Sequence, residues 1–380
     1  MKKLKPLLLG LLLGALGGAL GAWAAKHGLK LPGKAHWSRG QVLGLLALLP
    51  PAWLLAVALH ELGHALAGRL QGFRLYWLVV GPLMWRRQPP GRLRFGWNRN
   101  LNLAGGLALS APPDDHRLRE RFRVFAAGGP LASLGWGALA LGGYALLPAG
   151  TQGTVPAAAL ALSGAVSLLL FVVTMLPLQA GGFVSDGRRL LNLSRPGPQQ
   201  ELEVVMLTAT VRSMAGVRPR ELSRPALEAA AALSVEHPFT AYVPYYRYLY
   251  HLDTGDPAAA GQHLAQYRRQ LAKLPAPLQA SGWLEAAFFS AAYEHDAAAA
   301  RAYLAQANIN AHTPADQLPR VEAALARLAG DAEQAGAQAQ AALRELPRNL
   351  DQGSARLHQE WLLATVRWAE EQLTVGTRPA

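Results

Sequence analysis

Long apolar stretches dominate the first half of the chain, at residues 6–25, 42–68, 122–147 and 155–178. Each matches the roughly 20 residues a helix needs to cross ~30 Å of hydrocarbon. The first follows Lys2, Lys3 and Lys5 and reads as a signal anchor, being long for the core of a cleaved signal peptide. In the second, Pro50-Pro51 sets the start of the main helix near Pro51, because proline fits a first turn and not a helix interior. The uncharged turn Pro148-Ala149-Gly150 makes the last two stretches antiparallel neighbours. Between the second and third lies a polar region, residues 71–121. Within it, residues 73–80 are aromatic and β-branched, Arg92–Trp97 alternates, and Gly81-Pro82 and Pro89-Pro90-Gly91 mark turns, which predicts short strands at a membrane surface.

From about Gln199 the chain is alanine-rich with helical spacing, and a short motif recurs: Gly255-Asp256-Pro257-Ala258, His295-Asp296-Ala297-Ala298 and Gly330-Asp331-Ala332-Glu333. Successive aspartates lie 40 and 35 residues apart, near the period of helix-turn-helix repeats in which each Asp would cap the second helix of a pair. This region resembles a degenerate tetratricopeptide array; a generic all-α domain is the alternative. The tyrosines at 242, 245, 246, 248 and 250 are read as core packing before a binding surface. The expected architecture is an all-α multi-pass membrane protein. It has about four transmembrane helices with a small membrane-surface β element, followed by a soluble α-helical repeat domain. The expected divisions are residues 1–40 (anchor and external loop), 41–197 (membrane core) and 198–380 (helical domain).

Charge sharpens that division. Residues 1–197 carry 21 Lys and Arg against 5 acids, whereas residues 198–380 carry 16 against 19. The overall +13 therefore reflects loops that flank apolar spans, and nucleic-acid binding is not expected. Nine arginines in residues 71–121 place that loop, and with it the C-terminal domain, on the cytoplasmic side of a cell membrane; Lys26, Lys30, Lys34 and Arg39 run against the trend. The chain has no cysteine, so any metal site must use His, Asp or Glu.

The five acids of the basic half are Glu61, Asp114, Asp115, Glu120 and Asp186. Glu61 belongs to His60-Glu61-Leu62-Gly63-His64, a zinc-site pentapeptide inside an apolar run, where ionisable groups default to a functional reading. On a helix, His60 and His64 return to one face and can aim a ring nitrogen at one ion about 2.0–2.1 Å away. Glu61 points to a neighbouring face, as a general base and not a ligand. A polar cluster bonded within the bundle is the alternative. Zinc hydrolases need a third protein ligand and an open position for water. Candidates are His27, His36, His116, Asp114, Asp115, Glu120 and Asp186. Asp186 stands at the end of a span expected to finish on the side where His64 lies, although an Asp-Gly pair also suits a cap or turn.

His60-Glu61-Leu62-Gly63-His64, then Gly128-Gly129-Pro130-Leu131-Ala132, then Pro177 with Asp186-Gly187, resemble the three signature segments of the site-2 protease family of intramembrane zinc metalloproteases. The resemblance covers roughly residues 40–195. It implies one Zn2+ held by His60, His64 and Asp186, with Glu61 catalytic. It also implies cleavage of a transmembrane protein substrate within the lipid bilayer, in regulated intramembrane proteolysis. Thr174 and Ser133 stand where the family often has Asn, and Pro177 and Asp186 lie farther apart than is common, with an extra Gly181-Gly182. The family's membrane-surface β element can pair with an unwound substrate, which would give that edge to residues 73–80 or Arg92–Trp97; a purely structural hairpin is the alternative. The helical domain would present a surface to a protein partner. The competing reading is a catalytically inactive membrane scaffold or adaptor acting through that domain, against which the intact Glu61 counts. A metal transporter would need polar residues along several spans, and residues 122–178 supply few.

Overall fold

The computed structural model describes residues 39–88, 91–98, 103–180, 183–235 and 237–376. The expected anchor at residues 6–25, the candidate ligands His27 and His36, and Gly181-Gly182 lie outside the described residues.

The described chain is mostly helical, and three helices are long and apolar enough to cross a membrane: α1 (Arg39–Leu70) in its part Leu46–Leu70, α2 (Leu118–Ala145) and α3 (Val155–Met175). Helix α1 does not begin near Pro51; it runs through both prolines. Each proline removes only the bond to the carbonyl four residues back, here those of Leu46 and Ala47, and the apolar helix on either side propagates past this single weakened turn.

The described residues divide into two compact units, those from 39 to 56 with 134–169, and those of 57–133 with 170–376. In the first, small residues bring α2 and α3 together. A Cβ on Gly137 would lie 2.5 Å from Leu168, one on Gly164 would lie 3.0 Å from Ala140, and Ser163, Gly164 and Ser167 are buried.

The second unit carries a four-stranded antiparallel sheet of β1 (Arg74–Val80), β2 (Leu83–Gln88), β3 (Arg92–Trp97) and β4 (Leu107–Ala111), in the order β3-β2-β1-β4. Trp77 and Val79 of β1 and Leu109 of β4 share a buried face. Trp85, Phe95 and Trp97 point the other way, with Phe95 and Trp97 exposed. Residues 73–80 therefore form an inner strand and cannot be the free edge that the sequence suggested. Of the two candidates, only Arg92–Trp97, strand β3, lies at an edge. The other edge is β4, whose run Leu-Ala-Leu-Ser-Ala lacks the β-branched and aromatic residues that announce a strand.

The helices that follow are α4 (Asp186–Ser194), α5 (Pro198–Met214), α6 (Arg224–Ala232), α7 (Tyr242–Asp253), α8 (Pro257–Gln270), α9 (Ala276–Ala292), α10 (Ala297–Gln306), α11 (Gln317–Leu328), α12 (Ala332–Glu345) and α13 (Gln352–Gly376). Helices α7 and α8, α9 and α10, and α11 and α12 pack as neighbours. The recurring motif lies between the members of each pair. Gly255 (φ 79°), His295 (φ 56°) and Gly330 (φ 79°) turn the chain in the left-handed region. Asp256, Asp296 and Asp331 then cap α8, α10 and α12, accepting from Ala259, Ala299 and Gln334 N–H at 2.9–3.0 Å. Four of the five tyrosines are core: Tyr246 and Tyr248 are buried, Tyr245 packs on both and on Tyr267, and Tyr242 packs against the same cluster, whereas Tyr250 is half-buried against His251 outside it.

Candidate metal centre

The site begins with a helix crossing that only small residues permit. A Cβ on Gly63 of α1 would lie 2.4 Å from the Gly128 carbonyl oxygen and 2.6 Å from Ala132 Cβ; one on Gly128 of α2 would lie 2.4 Å from the Gly63 oxygen and 2.5 Å from Ala67 Cβ. Gly63 with Ala67, and Gly128 with Ala132, are thus two small pairs four residues apart, and they let the backbones touch. This contact places the next turn of α2 against His60 and His64. A Cβ on Gly129 would fall 2.3 Å from His64 Nε2 and 2.7 Å from His60 Nε2. The hydrogen of glycine leaves that space open.

Asp186 arrives from the far side as the first residue of α4. After α3, the two-residue strands β5 (Gln179–Ala180) and β6 (Phe183–Val184) pair antiparallel and reverse the chain. Ser185 closes the reversal. Its hydroxyl donates to Leu176 O at 2.6 Å and accepts from Leu178 N–H at 3.0 Å and Arg188 N–H at 3.2 Å, the last of these capping α4. Gly187 lets α4 start beside the end of α3, since a Cβ there would meet the Met175 oxygen at 2.0 Å.

Three ligand atoms converge as a result. His60 Nε2 lies 3.2 Å from His64 Nε2 and 3.2 Å from Asp186 Oδ2, and His64 Nε2 lies 3.4 Å from the same oxygen. His60 and His64 are buried, and among the described residues these three side chains form the one group of His and acids able to hold a metal ion. Asp114 and Asp115 lie elsewhere, paired with Arg121 at 2.6 Å and Arg212 at 2.8 Å. His116 and Glu120 are not in the group.

The other ring nitrogens are occupied in the way a ligand histidine requires. His64 Nδ1 lies 2.8 Å from the Phe125 carbonyl oxygen, to which it can only donate, so Nε2 keeps its lone pair for an ion. Gly129 N, at 3.3 Å from the same Nδ1, is then a close approach rather than a second hydrogen bond. His60 Nδ1 lies 2.9 Å from the Ser133 hydroxyl, which is fully buried. The His64 ring also stacks on Phe125, 5.2 Å between centroids. Glu61 is buried beside the group, where the Ala108 main chain of β4 hydrogen bonds its carboxylate. Gly106 (φ 111°) passes so close that a Cβ would sit 2.5 Å from Glu61 Oε1.

The sequence identified the three ligand candidates and Glu61 but missed what orients them. Ser133, noted there as a departure from the family pattern, is the partner of His60. Thr174, the other departure, bonds its own helix at Phe171 O (3.3 Å). Phe125, Gly128, Gly129, Ala132 and Ser133 share one face of α2 by their spacing, and that spacing was the available signal. No protein-family model, curated protein or solved structure matches the chain.

Proposed function

We propose that the chain is a zinc-dependent intramembrane endopeptidase that cleaves a membrane-spanning protein substrate, with the helical domain on the cytoplasmic side. The observation that carries this reading is the convergence of His60 Nε2 and His64 Nε2, on a helix apolar enough to cross a bilayer, with Asp186 Oδ2 at the start of α4, beside Glu61. The separations of 3.2, 3.2 and 3.4 Å agree with the ~3.3 Å edge of a tetrahedron whose bonds are about 2.0–2.1 Å, the lengths zinc makes to nitrogen and oxygen. Three protein ligands leave one vertex open, as catalysis requires and a closed structural site does not.

Zinc held by His60, His64 and Asp186 would supply Lewis acidity for peptide-bond hydrolysis. Glu61 would serve as the general base toward water and return the proton to the leaving amine. The Ala108 main chain and the Gly106 turn hold the Glu61 carboxylate in place, while Ser133 and Phe125 hold the two imidazoles. Strand β4 brings a sheet edge to the catalytic base, and an unwound substrate segment needs an extended edge to pair with.

The test is cleavage of a membrane-spanning substrate by the purified full-length protein in detergent. Glu61→Gln is expected to keep its zinc and lose activity by a factor of about 10² to 10⁴. Undiminished cleavage by that variant refutes the mechanism. Zinc content unchanged in Asp186→Ala refutes the ligand set.

A further inference from the structure

We propose that Glu203, in the helical domain, is a positioning residue for Asp186: it grips α4 and so fixes the roll of the helix that carries the third ligand. This rests on the reading of Asp186 as a metal ligand. Glu203 lies in α5 and is completely buried. Its Oε2 accepts from Asn192 Nδ2 at 2.6 Å, and its Oε1 faces Arg189 Nε at 3.7 Å. Both partners are on α4, three and six residues beyond Asp186. On the other side stands His237, whose Nδ1 accepts from Phe239 N–H at 3.2 Å. The ring proton therefore sits on Nε2, 3.6 Å from Glu203 Oε2. The carboxylate thus meets α4 on one side and the loop before α7 on the other.

A buried carboxylate is costly unless it is paired, and an apolar residue of similar size in the same place would be as stable or more so. The carboxylate's distinct contribution is directional, because its Oε2 takes a hydrogen bond from Asn192 of α4, while the Arg189 guanidinium beside Oε1 adds a charge without a hydrogen bond. The apolar contacts at the end of α4 do not do this. Leu193 sits in a cluster with Phe73, Phe122 and Leu207, and such packing resists separation more than rotation. Arg119 holds the last carbonyls, with Nε 3.0 Å from Leu193 O. Roll is the coordinate that matters at the metal. An atom ~5 Å from a helix axis moves about 0.9 Å when the helix rolls by ~10°, several times the ±0.2 Å that ligand distances tolerate. At the other end, Ser185 and Gly187 fix where α4 begins.

The experiment measures zinc affinity of the full-length protein in detergent against a chromophoric chelator, together with the visible absorption of the cobalt-substituted form. Glu203→Ala is expected to bind zinc at least ~10-fold more weakly and to shift the cobalt spectrum. Glu203→Gln, which keeps the volume and the Asn192 bond, is expected to fall between it and wild type, and it carries the test if the alanine variant does not fold. Leu284→Ala, in the helical core away from α4, is the control: a lower melting temperature with unchanged affinity and spectrum. Wild-type affinity and spectrum in the Glu203 variants overturn the proposal, and so does equal weakening in the control. Zinc binding by wild type without proteolysis would refute the protease reading and leave this inference standing; failure of wild type to bind zinc would refute both.

Discussion

Replacing Gly129 with alanine tests the metal centre more sharply than removing a ligand, because it exchanges one hydrogen for a methyl group and takes no polar group away. The new Cβ would lie 2.3 Å from His64 Nε2, 2.6 Å from His64 Cδ2 and 2.7 Å from His60 Nε2. Ordinary contact begins near 3.4 Å, so the His64 ring must retreat by about 1.1 Å or the helices must part. Neither is easy. The ring is held at Phe125 O and stacked on the Phe125 side chain, and the helices already touch backbone to backbone at Gly63 and Gly128. Metal–ligand distances tolerate only ~0.2 Å, so on the proposed reading the substitution would remove at least one zinc ligand, and structural zinc sites bind with ~10–16 kcal/mol in all. One ligand's share, about 3 kcal/mol, is at least a 100-fold loss of affinity. Zinc titration against a chelator measures it, with Gly135→Ala on the same helix as the control, since a Cβ there meets nothing within 4 Å. In helix terms alone both changes should stabilise by up to about 1 kcal/mol. Wild-type zinc affinity in Gly129→Ala would show that the space between the two imidazoles is not where an ion sits.

Three further outcomes follow from the same geometry. Ser133→Ala removes the partner of His60 Nδ1 and should weaken zinc binding ~10–100-fold without removing a ligand, read by the same titration. His295→Gly relieves a non-glycine residue at φ 56° and should stabilise the helical domain by about 1 kcal/mol in thermal unfolding, whereas Gly255→Ala and Gly330→Ala should destabilise it by a similar amount. His358 is buried beside Arg320 and Glu285, and burial, reinforced by the Arg320 charge, pushes its pKa well below the ordinary 6.5. The unfolded chain therefore binds this proton first. The His358 contribution to stability is whole above pH 6.5 and is lost as pH falls below it, by up to ~1.4 kcal/mol per pH unit. The drop in melting temperature between pH 7 and pH 5 should be smaller in His358→Gln than in wild type. An equal drop would contradict the assignment.

What could be read from the sequence depended on how much each residue stood out from its neighbours. Glu61 and Asp186 were legible because acids are so scarce in the basic half. The Asp caps were legible because a cap is a local device, in which a side chain meets the third amide on, and needs no tertiary information. The choice of α2 as the helix facing the histidines was not. A helix that is apolar all round gives its periodicity no phase, so nothing but the four-residue spacing of Gly63 with Ala67 and of Gly128 with Ala132 announced the crossing. Strand β4 was missed for the opposite reason. Its residues are weak strand formers, and pairing with β1, not intrinsic preference, makes them extended.

The separation of Pro177 and Asp186 is longer than is common in the family the chain resembles, and the hairpin between them explains why that need not move Asp186 away from His60 and His64. An antiparallel hairpin returns to where it started, so residues added to it extend its tip and leave its ends together. Here Gln179 pairs with Val184 and Ala180 with Phe183, and the ends are pinned by Ser185 N–H donating to Leu178 O at 3.1 Å and by the three bonds of the Ser185 hydroxyl. Asp186 is placed by that closure and by the fit of Gly187 against Met175, whatever number of residues lies between. The position of Asp186, the third candidate ligand, thus depends on Ser185 and Gly187 at the start of α4. The same logic separates the two departures at single positions. Ser133 touches the candidate ligand His60, so on the proposed reading its identity bears on metal affinity, whereas Thr174 bonds its own helix and does not touch the candidate group.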